Sequence, residues 1–559
     1  MIFMEEYKKL LSDNKNKLAV LILLLFLAAG IFLRTYNFHD WLRFNADQSR
    51  DALVVDNYLR GTSDLPSLGP KAGGTFFKLG PIFYYFQITS AKIFGAAPDK
   101  IAYPDLLFSI LAIPLLYLLM RRYFSRQLSV ALTALMSVSM FCVQYSRFAW
   151  NPNSAPFFTL LFLYSLLGLA DPEKNKKYFW AALAGISLGI AMQLHTVLLI
   201  LMPITLLVFL EYVYKTTGKT LTKEFAVVFL LALMMNFPQI TGEIQSGGQN
   251  IQDFFSGAVK KTSNEIGVGK KIAENFLCQA QGTGYILSAI GPSGDCGKTV
   301  ITGELKRHKH FDKKIPIILE TLFGLIFTIG GIFMWAKSAR KEKDAGKRRF
   351  LVLLGIYFVA GFFLLVSFAN EISIRFYLTL IFVPFLLLGL WMENLLIWAK
   401  EKNKKYMIAV ILLVLAILFG SNIYKTGKMF AAFSSQDESE DDGVDNDSES
   451  FITLSEAEFL AKYIVAHAEG KKTVYLDGRQ QYLFKYARSI KYLTRKQGID
   501  VKEYSGKENL PENANIMLMG NSKNIGKPDG TLQEKYFANN AQSFGRFSIA
   551  MLEKNPQNK

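Results

Sequence analysis

The sequence has few cysteines, few histidines and few charged residues for its length. Three cysteines and five histidines occur among 559 residues, and none of them cluster with the spacing of a metal site. Charged residues account for only 19% of the chain, whereas hydrophobic residues account for 51%. This composition excludes an ordinary soluble enzyme, and the length suffices for a polytopic membrane bundle with a soluble domain.

The net charge of +17 is high enough to suggest a nucleic-acid partner. The basic residues, however, lie in short loops between apolar segments, which is the positive-inside pattern of membrane proteins. We therefore expect no nucleic-acid partner. Four lysines precede the first apolar segment and place residues 1–17 in the cytoplasm, namely Lys8, Lys9, Lys15 and Lys17.

Eleven apolar segments are candidate transmembrane helices, although several are shorter than the ~20 residues that a perpendicular helix needs. They lie near residues 18–35, 101–120, 128–146, 155–170, 178–194, 196–214, 225–240, 316–336, 349–368, 375–398 and 406–424. Counting residues 80–95 as a further span would place the later basic loops outside, against the charge rule. Gln87, Lys92 and paired tyrosines favour a helix that lies in the outer interface instead.

This topology collects most of the unusual polar residues on the outer side of the membrane. It places there residues 36–100, the 146–154 turn, the turn at His195, the long 241–315 loop, the 369–375 turn and all residues after 425. Cys278 and Cys296 share the long loop, so they can form a disulfide if that loop lies outside. The apolar segments carry little charge, which argues against an ion pathway.

The C-terminal part of the chain predicts a linker and a small domain. Residues 426–450 are acidic and of low complexity, and a solvated linker is favoured over a calcium site because the acids lack full EF-hand spacing. Residues 451–559 predict an α/β domain, from a helical pattern at 456–468 and short strands at 473–476 and 516–519. The role of this domain stays open.

Asp47 is the candidate catalytic base. It lies in the first outer loop with Gln48, Arg50 and Asp51, at the start of an amphipathic helical pattern. A general base must be ionised, and a nearby arginine favours the charged form of a carboxylate. A purely structural salt bridge is the alternative role for this carboxylate.

Three outer cations are candidates for binding a phosphate group. Lys78 follows an aromatic pair, Arg375 begins an apolar segment from the outer side, and Arg147 lies in the 146–154 turn. Arginine suits bidentate phosphate binding, and a lysine can offset the charge of a phosphate leaving group. Each has an ordinary alternative, because interfacial lysines snorkel to lipid headgroups and arginines anchor helix ends.

Five further outer residues are candidates for holding a sugar. Asn151 and Asn153 can bind sugar hydroxyls or cap the helix that follows, and capping is favoured for at least one of them. His195 can carry a proton, but packing is its more common role. Tyr84 and Tyr85 can stack on a sugar or simply belong to an interfacial aromatic belt.

Two dense motifs carry a resemblance to a known family. They are Asn45-Ala46-Asp47-Gln48-Ser49-Arg50-Asp51 and Arg147-Phe148-Ala149-Trp150-Asn151-Pro152-Asn153. With them, residues 18–425 resemble the membrane glycosyltransferases of the GT-C superfamily. The resemblance is to family 39, which contains protein O-mannosyltransferases and the aminoarabinose transferase of lipid A.

The resemblance holds residue by residue at some positions only. Asp47 matches the acidic motif of the first outer loop, but Gln48 stands where the family has a second acid. Lys78-Leu79-Gly80-Pro81 is similar to a Lys-Pro-Pro-like segment, and Arg375-Phe376 with Pro384 is similar to an Arg-Tyr…Pro span. After Ser146-Arg147 the family's acid is replaced by Asn151 or Asn153, which weakens the case for a metal.

The resemblance implies a fold, a donor and roles for residues. It implies the GT-C fold for residues 18–425, in line with the polytopic α-helical membrane protein that the apolar segments predict, with about eleven transmembrane helices, outer interfacial helices and a separate small C-terminal α/β domain. It further implies a polyprenyl-phosphate sugar donor, an active site on the outer face of the plasma membrane, and inversion at the anomeric carbon. In this interpretation Asp47 is the base, Lys78, Arg375, Arg50 and Arg147 bind the donor phosphate, and Gln48, Asp51, Tyr84, Tyr85, Asn151, Asn153 and His195 contact substrate. No cofactor is expected.

Other functions remain open at this point. A transferase that moves an oligosaccharide from a lipid diphosphate predicts metal dependence or a larger acceptor groove. A lipid or sugar transporter predicts an internal repeat and polar residues at mid-membrane, and the sequence has neither. A scaffold anchored by its membrane part needs fewer spans than this chain offers. The acceptor is a protein, a lipid or an envelope glycan.

Overall fold

The structure is a computed structural model. It describes residues 14–434 apart from 174–175, 263–266, 292–295, 298–300, 304–305, 307–310, 368–371 and 405, and residues 451–555 apart from 479, 505–509, 512, 523–527 and 529–531. The expectations for most of the N-terminal segment 1–17 and of the acidic linker 426–450 therefore lie outside the described residues.

Helices make up most of the described chain. In chain order they are α1 Asn14–Thr35, α2 Ala46–Leu59, α3 Ile82–Phe94, α4 Pro98–Ile101, α5 Tyr103–Met120, α6 Arg126–Val138, α7 Met140–Gln144, α8 Ala155–Ala170, α9 Lys177–Leu194, α10 Thr196–Thr217, α11 Thr222–Gln245, α12 Gln249–Thr262, α13 Val268–Ser288, α14 Phe311–Lys341, α15 Ala345–Val366, α16 Phe382–Glu401 and α17 Tyr406–Ser434. Two 3₁₀ turns, Asn151–Ser154 and Ile374–Leu380, precede α8 and α16.

Nine helical segments of the described chain are long and apolar enough to cross a membrane. They are Lys17–Thr35, Pro98–Met120, Asn151–Ala170, Thr196–Thr217, Thr222–Gln245, Lys314–Lys341, Ala345–Val366, Phe382–Glu401 and Tyr406–Ser434. The two remaining predicted segments are also helical, but 128–146 breaks at Ser139 between α6 and α7, and α9 has only 18 residues. The protein is a multi-pass membrane protein, and the number eleven stays a prediction.

The segment 80–95 forms a helix that is too short to span a bilayer. Helix α3 has 13 residues, so it is about 20 Å long, against a hydrocarbon core of about 30 Å. It packs against α2, α5 and α9. This length agrees with the expectation of a non-spanning helix within the first outer loop, and its place in the outer interface stays a prediction.

The predicted outer loop 241–315 is largely helical where the structure describes it. Helix α13 packs into the bundle, and its second half is buried despite several polar side chains. Glycines make this close packing possible: an added Cβ at Gly284 would lie 2.5 Å from the carbonyl oxygen of Glu320 on α14, and one at Gly282 would lie 2.8 Å from the Tyr377 ring. The polar composition of this segment concealed a buried helix.

A disulfide joins Cys278 of α13 to Cys296. The sequence had left this pairing conditional on the loop lying outside. The Sγ atom of Cys296 lies 3.4 Å from the carbonyl oxygen of Ile372, just before the second 3₁₀ turn. The disulfide thereby supports the backbone that leads to Arg375.

The C-terminal region forms a small α/β domain, as predicted. Its helices are α18 Leu454–Ala466, α19 Gln480–Arg495 and α20 Leu532–Lys535, and its strands are β1 Thr473–Gly478, β2 Asp500–Glu503, β3 Ile516–Asn521, β4 Tyr536–Phe544 and β5 Phe547–Lys554. The strand order is β2-β1-β3-β5-β4, with β2, β1 and β3 parallel and β5 antiparallel to both neighbours. Leu476 pairs with Met517, and Met519 pairs with Ile549, in the buried centre of the sheet.

This domain is hydrogen-bonded to the first outer segment. The backbone N–H of Phe44 donates to the carbonyl oxygen of Ile452 at 2.9 Å, and that of Leu454 donates to the carbonyl oxygen of Leu42 at 2.8 Å. The Ser489 hydroxyl of α19 donates to the carbonyl oxygen of Phe44 at 2.5 Å. The domain is thus fixed against the chain that enters α2.

Candidate active site

A cavity of about 640 Å³, here called the main cavity, lies at the ends of several membrane helices. Its walls come from α2, the hairpin at residues 71–79, the turn at 150–152, the start of α10 and the second 3₁₀ turn. Five of the residues predicted from the sequence line it together, namely Asp47, Arg50, Asn151, His195 and Arg375.

Asp47 lies in a charged cluster on α2 whose inner member is buried. Arg50 donates to Asp47 Oδ1 at 2.8 Å, and its Nε and Nη2 atoms donate to the two carboxylate oxygens of Asp51 at 2.9 and 3.1 Å. The Tyr84 hydroxyl donates to Asp51 Oδ1 at 3.0 Å. The Asp51 side chain is fully buried, whereas that of Asp47 is 57% exposed. Asp51 therefore orients Arg50, and Arg50 orients the exposed carboxylate of Asp47.

The buried carboxylate has an unusual pKa. Burial raises the pKa of Asp51 to about 6, although the charge and hydrogen bonds of Arg50 oppose this. Burial also raises the pKa of Tyr84, and the negative charge of Asp51 raises it further. The Tyr84 hydroxyl therefore keeps its proton and remains a hydrogen-bond donor. The inner carboxylate of Asp51 thus has the Tyr84 hydroxyl and the Arg50 guanidinium as partners, whereas the outer carboxylate of Asp47 faces the cavity.

Neighbouring segments fix the start of α2. The Gln48 side chain accepts from the Asn45 N–H at 3.1 Å and donates to the carbonyl oxygen of Ala149 at 3.1 Å. The Asn45 side-chain oxygen accepts from the N–H of Ile452 at 3.0 Å. Gln48 therefore ties α2 to the 146–154 turn, while Asn45 ties it to the C-terminal domain.

The lysine that lines the main cavity is Lys71, and Lys78 is not among its lining residues. The two lysines pair in an antiparallel bridge of the same hairpin. The Lys78 side chain is exposed, and its backbone N–H and C=O are bonded to the Asn250 amide at 2.7 and 3.0 Å. The sequence favoured Lys78 because of its motif, and only the hairpin reveals that Lys71 is the lysine at the cavity.

Arg375, from the second 3₁₀ turn, is a further cation in the wall of the main cavity. Its guanidinium lies 5.7 Å from the centre of the Trp150 ring, a cation–π distance, and the side chain is exposed. His195 lies nearby, with its ring 5.5 Å from that of Phe376. The His195 Nδ1 atom accepts from the Val197 N–H at 3.1 Å and so caps α10.

The two asparagines are bonded to backbone carbonyls. Asn151 donates to the carbonyl oxygen of Leu194 at 2.8 Å, and Asn153 donates to that of Phe148 at 2.8 Å. Neither side chain caps the 3₁₀ turn or α8, so the expectation that at least one is a cap was wrong. Asn151 lines the main cavity, whereas Asn153 is buried and does not line it.

A buried carboxylate that the sequence reasoning missed holds the 146–154 turn. Asp105 of α5 accepts from the Trp150 N–H at 3.0 Å and from the Ser154 hydroxyl. Its side chain is almost fully buried. An acid inside an apolar segment was the available signal, because such residues are rare unless they have partners. Asp105 thereby positions Trp150, which forms part of the cavity wall.

Arg147 has structural partners and does not line the main cavity. Its guanidinium donates to the carbonyl oxygens of Leu33 at 3.1 Å, Arg34 at 3.0 Å and Tyr36 at 2.8 Å, at the end of α1. It is buried, and burial lowers its pKa to about 10. These carbonyls have no further helical partner, so Arg147 satisfies the end of the first membrane helix.

The hydroxyls of Tyr84 and Tyr85 are likewise bonded to other protein groups. Tyr84 is buried on Asp51, and the Tyr85 hydroxyl donates to the carbonyl oxygen of Pro66 at 2.8 Å. Neither lines the main cavity. Their hydrogen bonds support the first outer loop, and the wall of the main cavity offers neither ring for the predicted stacking on a sugar.

Two further spaces adjoin the main cavity. The first, here called the apolar groove, has about 690 Å³, is lined mostly by apolar side chains of α9 to α12, and shares Phe77 and Phe254 with the main cavity. The second, here called the side cavity, has about 260 Å³ and shares Asp47, Trp150 and Arg375 with it. Across the described part of the chain, no group of three or more His, Cys, Asp or Glu side chains is placed to hold a metal ion.

Comparison with known proteins agrees with this architecture. Residues 78–241 match the family model described as dolichyl-phosphate-mannose-protein mannosyltransferase. The structure is similar to that of ArnT from Cupriavidus metallidurans bound to undecaprenyl phosphate, with a TM-score of 0.52 and 12% identity over 96% of this chain and 97% of that one. No curated protein sequence matches the chain.

The structure is also similar to the archaeal oligosaccharyltransferase AglB from Archaeoglobus fulgidus, in complex with an inhibitory peptide and a dolichol-phosphate. The TM-score is 0.51 and the identity 13%, over 89% of this chain and 65% of that one. The chain has the GT-C fold. The match over residues 78–241 and the two similar structures agree with the predicted resemblance to GT-C glycosyltransferases, and the predicted fold class of a polytopic helical membrane protein with a small C-terminal sheet domain is confirmed.

Proposed function

We propose that this GT-C-fold protein is a membrane glycosyltransferase that takes its sugar from a polyprenyl-phosphate donor. The observation that carries the proposal is the continuity between a charged cavity and an apolar groove. Asp47, Arg50, Lys71 and Arg375 line the main cavity, and Phe77 and Phe254 form the boundary that it shares with the apolar groove. A polyprenyl phosphate needs such a pair of neighbouring sites, because its phosphate is charged and its chain is apolar.

The donor would bind across this boundary. The groove is open on one side, since Phe229 and Phe255 in its wall are 56% and 62% exposed, and in the proposed placement this side faces the lipid. A hydrocarbon chain lying there stays in an apolar environment, while the phosphate reaches Lys71 and Arg375 in the main cavity. Both cations would offset the negative charge that grows on the leaving phosphate as the glycosidic bond breaks.

Asp47 would then act as the base toward the acceptor. Its carboxylate is exposed to the cavity, and Arg50 holds it at 2.8 Å, while the buried Asp51 holds Arg50 from behind. A base on one face of the sugar and a leaving phosphate on the other fit a single inverting displacement. Confining both substrates at one surface supplies much of the rate, because orientation is then already set.

The proposal includes a side of the membrane. We place the main cavity and the C-terminal domain outside the plasma membrane and the N-terminus in the cytoplasm, following the charge rule. The disulfide next to the Arg375 segment supports this placement, because disulfides persist in oxidising compartments. Labelling of a tag after residue 559 in intact cells tests it, and labelling only after permeabilisation would contradict it.

The decisive experiment is sugar release from radiolabelled polyprenyl-phosphate sugars by the full-length protein in liposomes, with an envelope extract as acceptor pool. Asp47→Asn is compared with Asp56→Asn, a carboxylate on the same helix that pairs with Arg60 at 3.0 Å and lines none of the three spaces. We expect about a hundredfold loss or more in Asp47→Asn and wild-type release in Asp56→Asn.

Two results would contradict the proposal in different ways. Full activity of Asp47→Asn would exclude Asp47 as the base. Release from no monophosphate donor, with release from a lipid diphosphate oligosaccharide, would instead favour the oligosaccharide transferase. Repeating the assay with EDTA tests the prediction that no metal cofactor is needed.

A further inference from the structure

The hairpin that carries Lys71 into the wall of the main cavity is short. Backbone hydrogen bonds join its strands, from the Ala72 N–H to the carbonyl oxygen of Phe77 at 2.8 Å and from the Leu79 N–H to that of Pro70 at 3.0 Å. A two-stranded hairpin by itself is marginally stable in water. The position of Lys71 therefore depends on what holds the hairpin from outside.

The two lysines of the hairpin make this outside support more necessary. Lys71 and Lys78 lie directly opposite each other between the hydrogen-bonded pairs of the ladder, where Cα atoms approach to about 4.5 Å. Like charges in such a pair destabilise the pairing of the strands. The alternation of the ladder also turns the N–H and C=O of Lys78 away from the opposite strand. These two backbone groups need a partner outside the hairpin.

Asn250 of α12 is that partner. Its Oδ1 atom accepts from the Lys78 N–H at 2.7 Å, and its Nδ2 atom donates to the carbonyl oxygen of Lys78 at 3.0 Å. One side chain thus bonds to Lys78 as a neighbouring strand would. Asn250 is only 5% exposed, so water has little access to compete for these bonds. The strand opposite Lys71 is therefore held at both backbone groups of one residue.

The start of α12 is itself tied to α11. The Glu243 Oε1 atom accepts from the N–H of Ile251, the residue after Asn250, at 3.0 Å. Gly247 and Gly248 form the turn between the two helices with φ values of 65° and 85°, a conformation that favours glycine. Asn250 therefore has a defined position relative to α11.

The rest of α12 follows the hairpin. The Phe254 ring packs on that of Phe77 with centres 5.1 Å apart, and an added Cβ at Gly257 would lie 2.8 Å from Thr75 Cγ2. Phe77 and Phe254 are also the residues that the main cavity shares with the apolar groove. The contact between α12 and the hairpin thus forms the boundary between the proposed phosphate site and the proposed lipid site.

We propose that Asn250 is a positioning residue for the transfer reaction, because its bonds to Lys78 fix the hairpin in the arrangement that puts Lys71 in the main cavity. Lys78 contributes through its backbone, and Lys71 contributes through its charge. Asn250 lines the apolar groove and not the main cavity, so it acts on the donor phosphate through Lys71. This proposal rests on the proposed function, because it concerns the donor phosphate site of the same reaction.

The test compares the binding of polyprenyl phosphate with that of uncharged polyprenol. Native mass spectrometry of the full-length protein in detergent micelles gives both affinities, and their ratio isolates the contribution of the phosphate. Asn250→Leu removes both bonds at nearly constant size, and Asn250→Ala, which cannot clash with the hairpin, is measured in parallel. Gln252→Ala is the matched control, because it removes an exposed amide of the same helix that lines neither cavity nor the groove.

A double-mutant cycle shows whether Asn250 acts through Lys71, and it combines Asn250→Leu with Lys71→Gln. We expect the wild type to prefer polyprenyl phosphate about tenfold or more, and Lys71→Gln to remove most of this preference. Asn250→Leu should reduce the preference about threefold or more at unchanged affinity for polyprenol, and Gln252→Ala should change neither. In the Lys71→Gln background, Asn250→Leu should have little further effect, because the lysine that it positions is already absent.

Three results would overturn the positioning role. The first is an unchanged preference in both Asn250 variants. The second is an equal loss of affinity for polyprenol and polyprenyl phosphate, since Asn250 would then contact the lipid chain directly. The third is a full additional loss of preference in the Lys71→Gln background, since Asn250 would then act independently of Lys71.

The same measurements separate this proposal from the proposed function. Equal binding of polyprenol and polyprenyl phosphate by the wild type would mean that the protein has no phosphate site, and both proposals would fail. A wild-type preference that Lys71→Gln reduces and the Asn250 variants leave intact would overturn the positioning role alone. A preference that survives in Lys71→Gln would overturn the assignment of Lys71 and the positioning role with it.

Discussion

Replacing Asp51 by asparagine should change how the stability of the protein depends on pH. The carboxyl is fully buried, and burial raises its pKa from the ordinary value of 3.8 to about 6. That difference corresponds to about 3 kcal/mol, at 1.36 kcal/mol per unit of pKa. Because the folded state holds the proton more tightly, this stabilisation is full below pH 4 and is lost as the pH rises through about 6.

An asparagine has nearly the same shape but cannot ionise, so Asp51→Asn does not lose this stabilisation. We expect the difference in unfolding free energy between the two proteins to move in favour of the variant by up to about 3 kcal/mol between pH 4 and pH 7.5. The variant also loses the ion pair with Arg50, which lowers its unfolding free energy. Because the Arg50 side chain is 37% exposed, solvent screening limits the size of this loss.

Thermal unfolding in detergent micelles, followed from pH 4 to pH 8, measures this difference. Tyr84→Phe is an informative companion, because it removes a hydroxyl that donates to Asp51 Oδ1 and lowers the pKa of that carboxyl. We expect its midpoint to move to higher pH. A difference between wild type and Asp51→Asn that stays constant over the whole range would refute the reasoning.

Three further predictions concern the scaffold. Arg147→Gln should lower the unfolding free energy by about 3 kcal/mol or more, because buried carbonyls lose charged donors; folded protein that keeps its stability would contradict this. Reducing the Cys278–Cys296 bond, which closes 18 residues, should cost about 3 kcal/mol in a melting experiment with dithiothreitol. Gly80→Ala should cost about 1–3 kcal/mol, since its Cβ would lie 2.3 Å from Gln193 Cγ, and an unchanged melting temperature would contradict the close packing.

The helices of the membrane part could be predicted from local sequence patterns. Apolar segments bounded by basic loops predicted the spanning helices, and each of the nine that qualify among the described residues overlaps a segment identified from the sequence, although each extends beyond the predicted bounds. The same charge rule predicted that residues 80–95 do not span the membrane, and the helix there is too short to do so. These features could be predicted because the requirement to satisfy every backbone group in lipid acts on each segment separately.

Only part of the candidate site could be predicted from the sequence. The motif around Asp47 identified the charged cluster of α2, and the sequence placed Arg375, His195 and Asn151 on the same side. It did not distinguish Lys78 from Lys71, because the cavity wall that Lys71 joins is formed by segments far apart in the chain. It assigned Arg147 to a phosphate, whereas this arginine satisfies the end of α1.

The sequence by itself determined the class of fold, the position of the proposed base and the presence of a C-terminal α/β domain. These depend on composition, periodicity and short motifs, which are local properties of the chain. Only the tertiary structure decided that Asp105 holds the Trp150 turn, that the second half of α13 is buried, and that Lys485 lines the same side cavity as Asp47. Such contacts join residues far apart in the chain, and their partners are selected by packing, which no local pattern records.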